Sequence, residues 1–247
     1  MSALVPLTER VFRSTLRDFD LLTAVLAPVG AFVGFTFVLQ RVIDTGSLSY
    51  AQYVLPAIVV QSMLFGALTT ADRAARDASS GFARRLRTHP IPGLIPLMAR
   101  MLYCLIRSVV VIAAALAIAY PFGFRMNGGL LFSLAFIAIA LLLALAMSLG
   151  ADAVGSWMKR VDASSQLLMI PMLGLVLLST GMAPASAFPD WVQPFVLFQP
   201  VSVVTETMRG LTDGNLVGSN VAASLAWCIG LLAVFGAAAI RLQRQSE

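Results

Sequence analysis

Charge is scarce in this 247-residue chain: Asp, Glu, Lys and Arg together make up 12% of it, against 59% hydrophobic residues. A water-soluble domain of this length carries about twice that share of charge on its surface. Mean hydropathy is correspondingly high, at +0.87. Lysine is almost missing. The one lysine, Lys159, is not preceded by the glycines of a phosphate-cradling loop, so ATP hydrolysis by that route is excluded. Histidine is equally rare. The one histidine, His89, lies between two apolar runs, which excludes an intramembrane protease built on a Ser–His pair. No His/Asp/Glu cluster offers a metal site. No Asp or Glu falls in the core of any apolar run, which counts against a proton relay, and Asp152 at the end of the fourth run is read as interfacial. Cys104 and Cys228 are read as apolar packing groups, with neither a disulfide nor a metal site expected.

Six stretches without Asp, Glu, Lys or Arg occupy most of the chain: Leu21–Gln40, Thr45–Ala71, Ser108–Phe124, Met126–Ala151, Ala163–Pro189 and Gly214–Ile240. A bilayer core about 30 Å thick is crossed by about 17–25 apolar residues in a helix. The expected fold is therefore all-α and polytopic, with six transmembrane helices in one domain, residues 1–247. Thirteen of the Lys and Arg residues fall on one side of these spans and three on the other, with Arg107 left inside the third. Both termini are then expected at the cytoplasmic face of the cell membrane. The net charge of +5 follows from that bias and gives no footprint for nucleic acid.

Between the spans, three segments stand out. Residues 4–20 place Leu4, Leu7, Val11, Leu16 and Phe19 at helical spacing, with Arg10, Arg13 and Arg17 on the other side. The pattern predicts an interfacial helix against anionic lipid or a protein partner; a topology anchor is the plainer reading. The loop 72–95 is densely charged, with Asp72, Arg73, Arg76, Asp77, Arg84, Arg85 and Arg87. Ser79, Ser80 and Gly81 are expected to start a short helix that Pro90 and Pro92 end, either a docking element or a positive-inside anchor. Segment 183–213 is too apolar for a free loop and too rich in proline for one span. It reads as short helices re-entering the outer interface with Trp191 at headgroup depth, and with Glu206 and Arg209 either paired or facing substrate. Arg107 depends on where its helix begins. A start near Pro96 puts it against a cavity or a carboxylate, and a start near Cys104 lets it snorkel to the headgroups.

The stretch from Leu178 to Pro184, with Phe188–Trp191, Gln193–Phe195, Gln199–Ser202 and Met208–Gly210, resembles the type-2 ABC transporter permeases, in particular the daunorubicin-resistance type of actinobacteria. A second match runs from Gly81 to Pro90 and on to Ala99–Leu102. The resemblance implies a permease without covalent chemistry of its own, moving a hydrophobic drug or lipid outward. The power comes from a separate ATPase, expected in two copies, that holds the ATP and Mg. It implies coupling contacts at Gly81, Phe82, Arg84, Arg85, Leu86 and Thr88, an interface helix beside the same ATPase, and a second permease copy, identical or homologous. Gln61, Met63, Arg107, Ser179 and Met182 are candidates for the translocation path, although ordinary span packing is the plainer reading of any one such residue. An ion-gradient-driven transporter of hydrophobic compounds is the alternative.

Overall fold

A computed structural model describes residues 20–39, 49–80 and 94–245. They form eight α-helices: α1 Asp20–Leu39, α2 Tyr50–Ser79, α3 Ile95–Ala119, α4 Gly129–Met158, α5 Val161–Leu177, α6 Gln193–Phe198, α7 Pro200–Asp213 and α8 Gly218–Gln245. Short 3-10 turns occur at Tyr120–Phe122 and Ala185–Ala187, and no strand is present among the described residues. Five helices (α1 to α4 and α8) are long and apolar enough to cross a membrane, while α5, whose apolar stretch is Ala163–Leu177, is shorter. The chain is a polytopic, all-helical membrane protein.

Local chemistry sets most of the helix ends. Ser49 caps α2, its hydroxyl accepting from the Gln52 amide at 3.2 Å. Pro96 and Pro200 sit in the first turns of α3 and α7, where the missing N–H removes no helical bond. α2 runs on through Asp72, Arg73, Arg76 and Asp77, so Ser79 and Ser80 end a helix and do not start one. α3 begins at Ile95, thirteen residues before the predicted third span. The predicted fifth span stops at Leu177, well short of Pro189.

α2 and α4 form the centre of the bundle. The apolar window of α2 is 72% buried, against 22% for α1 and 17% for α8. Small residues let the two central helices meet closely, and Ala67, Ala71, Ala144 and Ala151 are all within 1% of full burial. At Gly155 the approach is closer still, since a Cβ there would collide with the backbone of Ala71. Phe32, Leu55, Leu64, Phe136, Leu143 and Met208 complete the core.

At the end away from Arg100 and Asp152, α6 and α7 fold back into the bundle. Trp227 lies nine residues into α8, about 14 Å along it, and its indole N–H donates to the Phe198 carbonyl at 3.1 Å. α7 then climbs from that level until the Thr212 carbonyl accepts from Asn127 N at 2.9 Å, just ahead of α4.

Candidate coupling and translocation site

One end of the bundle concentrates charge, including the Asp152 that the sequence places at the interface. Arg100, on the second turn of α3, is 4% exposed, and Asp152, six residues before the end of α4, is fully buried. The guanidinium forks onto that carboxylate, Nε to Oδ1 at 2.5 Å and Nη2 to Oδ2 at 3.2 Å, while Nη1 reaches Asp77 on α2 at 3.1 Å. Asp152 is thus enclosed by protein and ion-paired. The planar fork of arginine fits a carboxylate in this bidentate way, and the third bond adds a third helix.

A second set gathers on Asp20, the first residue of α1. Arg73 donates to it at 3.0 Å and Tyr103 at 3.1 Å, with the Arg73 guanidinium 4.3 Å from the centre of the Tyr103 ring. Arg107 approaches the same carboxylate only to 3.9 Å, and its buried Nε has no hydrogen-bond partner among the described residues. Its Nη1 occupies the space a Cβ on Gly66 would take. Of the two sequence-based readings of Arg107, the carboxylate partner holds, because α3 begins at Pro96's end of the segment.

At the opposite end, a buried arginine rebuilds a broken helix terminus. α5 stops at Leu177, and the following carbonyls have no helical donors. Arg209, 9% exposed, donates to the carbonyls of Thr180 at 3.1 Å, Gly181 at 3.4 Å and Tyr53 at 3.0 Å. It also pairs with Glu206 at 2.7 Å and stacks 3.7 Å over the Tyr53 ring. The Gln199 amide donates to the Leu178 carbonyl, and Ser202 Oγ accepts from Thr180 N at 3.0 Å. Glu206 and Arg209 are therefore a pair, and Arg209 is committed to backbone.

Beneath this knot lies a small cavity, about 10 Å³ in volume, between α2, the end of α5 and α7. Gln61, Ser179, Met182 and Thr205 line it together with Ala57, Gly181, Val176 and Val201. Three of the five path candidates thus converge. Met63 is packed in the core at 2% exposure, and Arg107 belongs to the charged end. Trp191 is 84% exposed, beside exposed Phe195 and Phe198. Arg10, Arg13, Arg17, Gly81, Phe82, Arg84, Arg85, Leu86 and Thr88 lie outside the described residues.

Sequence reasoning missed the roles of Arg100 and Asp152, the latter read as interfacial, and of Asp20 and Tyr53. A signal existed for the first two: Asp152 is the first acid after a charge-free run of 26 residues, and Arg100 precedes another apolar run. Nothing in the spacing pairs them, because they meet only through tertiary packing.

Residues 3–212 match the ABC-2 type transporter family. The chain is 30% identical over 229 residues to the doxorubicin resistance ABC transporter permease protein DrrB of Mycobacterium tuberculosis, covering 90% of this chain and 78% of that one. It is 28% identical over 233 residues to the probable doxorubicin resistance permease DrrC of the same organism, covering 92% and 83%. Similarity to the daunorubicin resistance permease DrrB1 of Streptomyces coeruleorubidus is 26% over 231 residues, covering 92% and 81%. With an all-helical architecture among the described residues and a family match over most of its length, this chain belongs to the ABC-2 type transporter family and is a multi-pass permease subunit of an ABC system.

Proposed function

We propose that the chain moves a hydrophobic drug or lipid outward across the cell membrane, driven by a separate ATPase that docks on the loop 72–95. Doxorubicin and daunorubicin resistance in the relatives' names favours an aromatic, polycyclic drug as the first compound to try. The observation that carries the reading is Arg100. One guanidinium joins the end of α2, the start of α3 and α4, so both flanks of the arginine-rich segment are tied to the centre of the bundle. A push on that segment is therefore a push on the spans.

The ATPase, in two copies, carries ATP and Mg, and Gly81, Phe82, Arg84, Arg85, Leu86 and Thr88 make its groove contacts. Arg10, Arg13 and Arg17 flank the same partner from the N-terminal helix. The distribution of basic residues, thirteen against three, supports placing this end and both termini in the cytoplasm, with six crossings in all. α6 and α7 then re-enter from the outer side, which the depth of the Trp227–Phe198 bond supports. Gln61, Ser179 and Met182 mark the path. With about 10 Å³ of enclosed space, their cavity has room for about one water, consistent with a shut state.

A second permease copy, identical or homologous, completes the path along α5. Pro171 offers no N–H to the carbonyl of Leu167, and Leu167, Pro171 and Gln166 are all exposed. The corresponding carbonyls on α1 and α2, from Ala24 and Gln52, belong to buried residues. Bare polar groups facing lipid are costly, so α5 is the face that gains most from a protein neighbour.

The test is Arg84→Glu with Arg85→Glu in the reconstituted complex. Loss of ATPase association and of doxorubicin export, with insertion intact, is expected; unchanged export rejects the docking assignment. Export from ATP-free vesicles under a proton gradient would instead favour the ion-driven alternative.

A further inference from the structure

We propose that Arg100 and Asp152 are positioning residues for coupling: they transmit the displacement of the docking loop 72–95 into α4, and through α4 to the far end of the bundle. This rests on the docking role proposed for that segment. The pair sits where such a link has to be. Asp77 is three residues before the α2 cap Ser80, Arg100 is on the second turn of α3, and Asp152 lies within two turns of the end of α4.

The fold does not need this pair as a fastener. α2 and α4 already meet through buried alanines and the Gly155–Ala71 contact. A buried ion pair adds little stability over apolar side chains of equal volume, because desolvation cancels most of the attraction. What the fork adds is direction: three bonds in one plane fix where α3 and α2 stand relative to α4.

From α4 the contacts continue without a gap. Asn127, just ahead of α4, bonds the Thr212 carbonyl at the end of α7. Arg209 on α7 grips the carbonyls of Thr180 and Gly181, and Val201 and Thr205 of the same helix line the cavity with Gln61. A shift of α4 therefore reaches the cavity wall through α7. Contiguity alone does not establish coupling, so energetic evidence is the criterion.

The experiment uses the full complex in liposomes. Arg100→Met with Asp152→Leu removes both charges while keeping bulk, and Arg100→Lys keeps the charge but loses the fork. Three quantities are read: ATPase association, doxorubicin moved per ATP hydrolysed, and the ATP-dependent change in spin-label distance between Leu22→Cys and Trp157→Cys, both exposed positions, in a background with Cys104 and Cys228 replaced by Ala. The uncharged pair should assemble and hydrolyse ATP, yet move about tenfold less drug per ATP, within the usual range of coupling between sites, and lose the distance change. Arg100→Lys should fall between it and the parent. Parent-like coupling in the uncharged pair overturns the proposal, and so does failure of that pair to assemble, which would make the residues a fastener. If the parent itself shows no ATP-dependent change, the docking reading fails as well, and the two failures are told apart.

Discussion

Arg209 shows how one side chain can stand in for a missing helical turn. Its guanidinium serves three backbone carbonyls and one carboxylate. Arg209→Ala should leave the Thr180, Gly181 and Tyr53 carbonyls with one donor fewer each. Thr180 keeps the Tyr53 hydroxyl and Tyr53 its helical donor, so the Gly181 carbonyl is the one left bare. A buried carbonyl in that state costs about 1–3 kcal/mol, and a drop in melting temperature of the purified protein is expected. Arg209→Lys should recover only part of that, since an ammonium cannot fork and stack at once. Glu206→Gln is the control. Glu206 is 41% exposed at its side chain, and an ion pair with one partner in solvent is worth about 1 kcal/mol at most, so its melting temperature should stay near the parent's. A larger fall for Glu206→Gln than for Arg209→Ala would mean that the carboxylate, not the carbonyl cradle, holds the knot. The i,i+3 spacing of Glu206 and Arg209 is legible in the sequence. The carbonyls are not, since they are freed only because α5 ends at Leu177.

Among the elements, two close approaches to α2, one from α4 and one from α3, separate two glycines that look alike in the sequence. At Gly155 a Cβ meets the backbone of Ala71, so Gly155→Ala has to push two packed helices apart, an overpacking cost of about 1–3 kcal/mol. At Gly66 the obstacle is the tip of the flexible Arg107 side chain. Gly66→Ala should therefore be neutral within about 1 kcal/mol, with the gain in helix propensity offsetting the displaced guanidinium. Thermal unfolding of both variants checks this; equal losses would show that Arg107 is held as rigidly as a backbone. The long spans were readable because lipid demands an unbroken apolar run of fixed length. Their ends were less so. α3 starts thirteen residues early and α2 runs past Asp77, because Arg100, Arg73 and Asp77 find carboxylate or arginine partners inside the bundle and need not mark the membrane boundary. α5 falls short for the converse reason: its apolar sequence permits more helix, but Gln199, Ser202 and Arg209 compete for the backbone after Leu178.

At the scale of the whole molecule, the candidate site divides into what composition can report and what only packing can. Gln61 and the neighbouring pair Ser179 and Met182 come from two separate stretches, and the fold brings them to one cavity. Met63 was chosen on the same grounds and points into the core instead, because its helix is buried nearly all round and residue type does not distinguish its faces. The exposed surface raises a further question of assembly. α1 and α8 turn continuous apolar faces outward and are content in lipid, whereas α5 turns out Gln166 and the Leu167 carbonyl that Pro171 leaves without its helical donor. A protein neighbour should therefore sit on α5. Ile170, 75% exposed on that helix, is the best place to detect it. In membranes carrying the full complex, Ile170→Cys should cross-link to a second permease copy under mild oxidation, while Val234→Cys on α8, 65% exposed, should remain unlinked. Linking at Val234 with none at Ile170 would move the permease interface to α8. The cavity by Gln61, which the end of α5 helps to enclose, would then have to open without the partner copy's help.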